Sequence, residues 1–129
     1  MTTNSDIAQA FFSIIDSAAL GYPIAYPTKS FTPPDSGHWL EVSFMPNSGI
    51  DQGLKSGTVL MQGLVQVNVC GRPDTGLIPL HNISEQVGAL FPKNLVISGN
   101  VRVSKTPYNT DIIPLEDRII LPLTVMYSE

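Results

Sequence analysis

The sequence predicts an α+β fold, a mainly antiparallel β-sheet one layer thick with two α-helices packed on one face. Three periodicities carry that reading. Ile7, Ala10, Phe11, Ile14, Ile15 and Ala18 recur at three- and four-residue spacing, which lines up one apolar face of a helix. Over Trp39–Met45 and Thr58–Cys70 the side chains alternate with period two, as strands require. A second helical stripe, Leu77, Leu80, Ile83, Val87, Leu90 and Phe91, separates those strands from a further set. The 129 residues suit a single domain spanning 1–129, and no internal repeat or linker divides them.

Element by element, the first helix is expected from about Ser5 to Leu20. Asn4 or Ser5 would cap it, Asp6 would favour its positive end, and Gly21 would stop it. Pro23 and Pro27 leave at most a short extended piece, and Pro33-Pro34 stiffens the next loop. From Trp39, Leu40, Val42 and Phe44 face one way, and Trp39, Glu41, Ser43 and Met45 the other. Asn47–Gly57 is polar and glycine-rich, and reads as a loop. In Thr58–Cys70, Val59, Met61, Val65, Val67 and Val69 share a face, with Gly63 marking a bulge or a close approach. The turn GRPDTG then leads to the second helix, capped by Asp74 or Thr75, with Pro79 in its first turn and Pro92 ending it. Short strands near Leu95–Ile97 and Val101–Val103 follow, then a proline-bounded loop over Pro107–Glu116. The last strand runs from about Arg118 to Tyr127, where Pro122 implies an edge position or a bulge.

The composition narrows the function. The net charge is −4 and the basic residues are scattered, so no patch exists to neutralise a phosphate backbone. Apolar runs are too short to cross a bilayer, and MTTNSDIAQA lacks the charged and apolar regions of a secretory leader. The lone Cys70 excludes an internal disulfide and suits a reducing compartment. Only 14% of residues are charged, a low fraction that favours a surface partly covered by partners.

Candidate chemistry is sparse. Asp35, His38 and Glu41 are spaced for a helix face but fall on a strand, which sends His38 and Glu41 to opposite sides. Cys70 with His38 or His81 could form a nucleophile and base, the basis for an alternative reading as a small enzyme or small-molecule-binding domain. No local signature flanks Cys70, however, and a thiol ending a valine-rich face reads as core. Glu116 and Asp117 are adjacent and diverge. The sequon Asn82-Ile83-Ser84 falls in a helix and reads as coincidence. No phosphate-binding glycine loop or metal-ligand cluster is present, so neither a cofactor nor a catalytic residue is expected.

Several short motifs do occur in a telling order. Tyr26-Pro27, FTPP at Phe31–Pro34 and the strand Trp39–Pro46 precede GLVQVNV at Gly63–Val69. A helix closing on ALFP at Ala89–Pro92 and the strand LPLTVMY at Leu121–Tyr127 follow. In that order the chain resembles the tail terminator family of tailed bacteriophages, including the lambda-type minor tail protein U-like, siphophage tail completion proteins. The resemblance implies a virion structural protein that caps the head-proximal end of the tail tube as a hexameric ring, ending tail polymerisation and providing the head-joining surface. The implied partners are further copies of the chain, the major tail tube protein and a head-tail connector protein. The implied location is the phage tail, after assembly in the host cytoplasm. Another head-tail connector protein is the alternative of the same class. An acidic subunit would suit a ring through which DNA passes, with no sequence-specific grip on it. For the subunit and tail interfaces the expected positions are Trp39, Met45, Ile50, Asp51, Leu54, Lys55, Tyr108, Asp111 and Glu116, on a strand face and in the two long loops.

Overall fold

The computed structural model describes residues 3–47, 50–51 and 59–129, with the backbone alone for 50, 51, 59 and 60. Helix α1 spans Asn4–Ser17. Its cap is Thr3, one residue earlier than expected. The Thr3 hydroxyl accepts the Asp6 N–H at 3.2 Å and the Asp6 carboxylate accepts the Thr3 N–H at 3.0 Å. Only Thr3 stands three residues ahead of that carboxylate, as this reciprocal pair demands. The helix also ends before Leu20, because Ala19 turns left-handed at φ 49° and lets Leu20 fold back onto the core.

Strand β1 (Ile24–Ala25) runs parallel to β2 (His38–Pro46), and β2 pairs antiparallel along its full length with β5 (Gln62–Gly71). Between them, β3 (Ile50–Asp51) and β4 (Val59–Leu60) pair with each other as a separate two-stranded sheet. The expected loop over 47–57 therefore contains a strand. The expected continuous strand 58–70 breaks at Met61, where the chain changes from one sheet to the other. Gly63 marks a close approach and not a bulge. It pairs in register, and a Cβ there would lie 2.7 Å from the Met45 carbonyl.

Helix α2 spans Ile78–Gly88, with Pro79 at its second position, where no intrahelical N–H is lost. Neither expected cap serves it. The Thr75 hydroxyl donates to the Arg72 carbonyl at 2.7 Å, and Asp74 turns left-handed at φ 67°. Both residues are taken up by the turn before the helix begins.

The remaining strands are β6 (Val96–Ser98), β7 (Val101–Val103), β8 (Tyr108–Asn109), β9 (Ile113–Pro114) and β10 (Ile119–Ser128). The main sheet has the order β1-β2-β5-β10-β7-β6, and β8 and β9 join β10 below β7. Residues 101–114 thus run antiparallel down the whole of β10 as three short strands, from Ser128 at Arg102 to Ile119 at Pro114. The expected loop over 107–116 therefore contains two short strands. Pro122 sits inside a central strand, contrary to the edge or bulge expected of it. Its carbonyl accepts the Thr110 N–H, so its ring nitrogen faces the interrupted flank and not β5. The unbroken ladder on the β5 side loses no hydrogen bond to it.

One face of this sheet carries the core. Val65, Val67 and Val69 of β5 and Leu121, Leu123, Val125 and Tyr127 of β10 pack with Ile7, Phe11 and Ile15 of α1 and Leu80, Ile83 and Val87 of α2. Phe11 meets Phe91 at 5.4 Å and Tyr127 at 5.7 Å between ring centres. Helix α1 contacts β6 at one edge, while its Phe12 meets Tyr26 just past β1 at the other. The sheet is therefore curled around the two helices on its concave side, an α+β arrangement with mostly antiparallel pairing. Among the described residues no helix is long and apolar enough to cross a membrane.

Candidate functional site

The helix-free face has its own small cluster at the end where β2 and β10 begin. Trp39, Cys70 and Ile120 lie side by side on three neighbouring strands, buried together under Phe31. Cys70 therefore does not end the valine face as the sequence suggested. Its neighbours Val69 and Val67 point to the helices, and period-two geometry sends the thiol the other way, opposite Trp39.

Two arginines close this cluster. The Arg72 guanidinium stacks over the Trp39 ring at 5.0 Å, donates to the Pro34 carbonyl at 3.1 Å and 2.6 Å through Nε and Nη2, and reaches the Asp117 carbonyl at 3.0 Å. It thereby joins the loop after Phe31, the end of β5 and the turn before β10. Beneath it the Trp39 indole N–H donates to Glu41 at 3.0 Å, and Arg118 pairs with the same carboxylate oxygen. Neither arginine was singled out in the sequence. Each is a lone cation at a strand end, and only the register shows that both converge on Trp39 and Glu41.

This arrangement does not support nucleophilic chemistry. Burial, then the nearby Glu41 charge, pushes the Cys70 thiol up to about 12, so the thiolate is scarce near neutrality. His38 lies on the opposite sheet face, with its ring against Gly71. His81 belongs to α2, which covers that other face. Neither histidine reaches the side on which Cys70 lies. Among the described residues no three His, Cys, Asp or Glu side chains group closely enough to hold a metal ion.

The nine positions expected at interfaces divide into three sets. Trp39 is fully buried by the chain's own Phe31 and Arg72, and leaves no surface for a partner. Met45, Tyr108, Asp111 and Glu116 are exposed. Leu54 and Lys55 lie outside the described residues, and Ile50 and Asp51 are described only as backbone in β3. A group of exposed apolar side chains not expected from the sequence accompanies them, namely Ile112, Ile113 and Leu115 beside β9 and Leu77 and Ile78 at the start of α2.

One open cleft of about 340 Å³ lies at the curled edge, between α1 and the segment after β1. Phe12 and Tyr26 line it with ring centres 5.2 Å apart, and Asp16 and Lys29 also contribute to its walls. It contains neither histidine nor the cysteine.

Such a molecule, with its thiol sealed away and apolar side chains on display, is of the class that works through its surfaces. The comparisons agree. The family model described as phage tail terminator protein matches residues 6–127. The chain belongs to that family, whose members are structural components of the tail and not enzymes. A protein of known structure is 27% identical over 96% of this chain and 94% of its own, with a TM-score of 0.75. The two share their overall fold along nearly the full length of each. No curated protein matches the chain in sequence.

Proposed function

We propose that the chain, as one domain over residues 1–129, forms a hexameric ring on the head-proximal end of a phage tail tube. The ring stops tube polymerisation and presents the surface that joins the head. Its partners are further copies of itself, the major tail tube protein and a head-tail connector protein, and DNA passes through its lumen. It assembles in the host cytoplasm and remains in the virion tail. The family match over residues 6–127 carries this reading.

The surface is consistent with it. Ile78 is 68% exposed, Leu115 46%, Ile113 45% and Met45 39%, an apolar display that a subunit covers on assembly. Met45, Tyr108, Asp111 and Glu116 are the exposed residues assigned to neighbour or tube contacts, together with the segment that holds Ile50, Asp51, Leu54 and Lys55. Trp39 acts beneath that surface, as a support for the loops above it.

Electron microscopy of particles made without the protein tests the reading. Tails of uncontrolled length, without heads, are the expected result, reversed by supplying the protein. Tails of normal length lacking heads would point to a connector role instead, and normal head-joined tails would overturn both.

A further inference from the structure

We propose that the ring contact inserts Tyr108 of one copy into the Phe12–Tyr26 cleft of the next copy. This rests on the ring reading above and identifies the surfaces that would make it.

The two surfaces match in shape. The cleft is open, about 340 Å³, with two aromatic side chains set at 54° to each other, a lining that takes a further ring in tilted geometry. Tyr108 is the exposed aromatic on the opposite flank. It stands on the helix-free face of β8, cross-strand from Thr124, with its hydroxyl 4.0 Å from the Met126 sulfur.

They also match in charge. The cleft is lined by Asp16 and Lys29 as well as the aromatic pair, and neither forms an ion pair among the described residues. Tyr108 likewise has one charge of each sign close to it in the chain. Lys105 lies over its ring at 4.6 Å and Asp111 follows three residues later, both exposed. In the proposed contact Lys105 pairs with Asp16 and Asp111 with Lys29. Two opposite-charge pairs flank one buried ring, the arrangement that fixes orientation as well as affinity.

Their placement suits a closed ring. Strand β8 pairs with β10, and β1 lies three strands beyond β10 in the sheet order. At about 4.8 Å per strand, knob and cleft are separated by roughly 19 Å along the curved sheet. Tyr108 does not line the cleft of its own chain. A contact between two different surfaces repeats head to tail, and closes when the rotation per copy permits.

Charge reversal tests the contact, with association followed by sedimentation velocity over a concentration series and folding checked by circular dichroism. Asp16→Lys and Lys105→Glu are each expected to weaken association at least tenfold, and the double variant to restore it to within about threefold. Tyr108→Ser should weaken it without disturbing the fold. As a positive measure, mixing Lys29→Cys with Asp111→Cys should yield disulfide-linked dimers, whereas either variant alone should not. Cys70 is buried and takes no part. Rings that form normally in every variant would overturn this contact and leave the ring reading intact. A wild-type chain that stays monomeric, alone and on tail tubes, would overturn both. Weakened tube binding with unchanged self-association would assign the cleft to another tail protein and overturn the proposal.

Discussion

A Cβ on Gly63 would stand 2.5 Å from the Tyr127 hydroxyl, 2.7 Å from the Met45 carbonyl and 2.8 Å from the Pro46 Cα. The tyrosine could shift, but the other two atoms belong to the paired backbone of β2. Gly63→Ala should therefore destabilise the fold by about 1–3 kcal/mol, the usual range for overpacking, read as a lower urea midpoint. A change below about 0.5 kcal/mol would show that β2 and β5 part easily there. Cys70 gives a test of a different kind. Its thiol is held neutral up to about 12, against 9.0 for the free group. The unfolded chain therefore loses this proton first as pH rises. The stabilising contribution is complete below pH 9, falls through the interval up to about 12, and is absent above it. The wild type should lose stability across that window faster than Cys70→Ala. At neutral pH iodoacetamide should label Cys70 only as fast as the chain unfolds, and rapid labelling of the native protein would contradict the buried placement.

Regular elements were the legible part of the sequence. Both helices and the β2, β5 and β10 strands follow from apolar spacing, because each packs one face on a single core and spacing records the packed face. Short pairings left no such record. Strands β8 and β9 hold two residues each, too few to show a period, and owe their conformation to pairing with β10. Of the candidate site, Tyr108 and Asp111 were visible as loop residues, but their cleft was not. Phe12 reads as one more apolar residue of α1, and Tyr26 as half of a Tyr-Pro pair. The loops around Trp39 show the same limit, since Arg72 ties its strand end to segments 38 and 45 positions away from it. The chain's only tryptophan makes this clamp measurable. Arg72→Ala should shift Trp39 emission to longer wavelength and increase its quenching by acrylamide, with secondary structure retained. Lys at position 72 should rescue only in part, since an ammonium cannot stack and donate in several directions together. Unchanged emission in the alanine variant would show that Phe31 alone covers the indole.

At the scale of the whole molecule, the curled sheet brings its two edges to the same helix, and the surfaces proposed for assembly are the cleft beside α1, the exposed side chains around β8 and β9, and the start of α2. The uncontrolled tails expected without the protein, and the charge reversals expected to weaken the proposed ring, are both read at this level. They are independent, because one asks what the proposed ring would do and the other how two copies would meet. The sheet order has one more consequence, for biosynthesis. Strand β10 follows every other strand in the chain yet lies between β5 and the 101–114 segment, and it is the longest shared ladder of the sheet. During translation β2 and β5 can pair early, but β5 keeps an open edge of valine-rich backbone until Ser128 has left the ribosome. A nascent chain stalled before β10 is thus an aggregation-prone half-sheet. Folding is completed by a strand insertion at long sequence separation, which makes it slow, and each copy would become competent to join a ring only after synthesis has passed that strand.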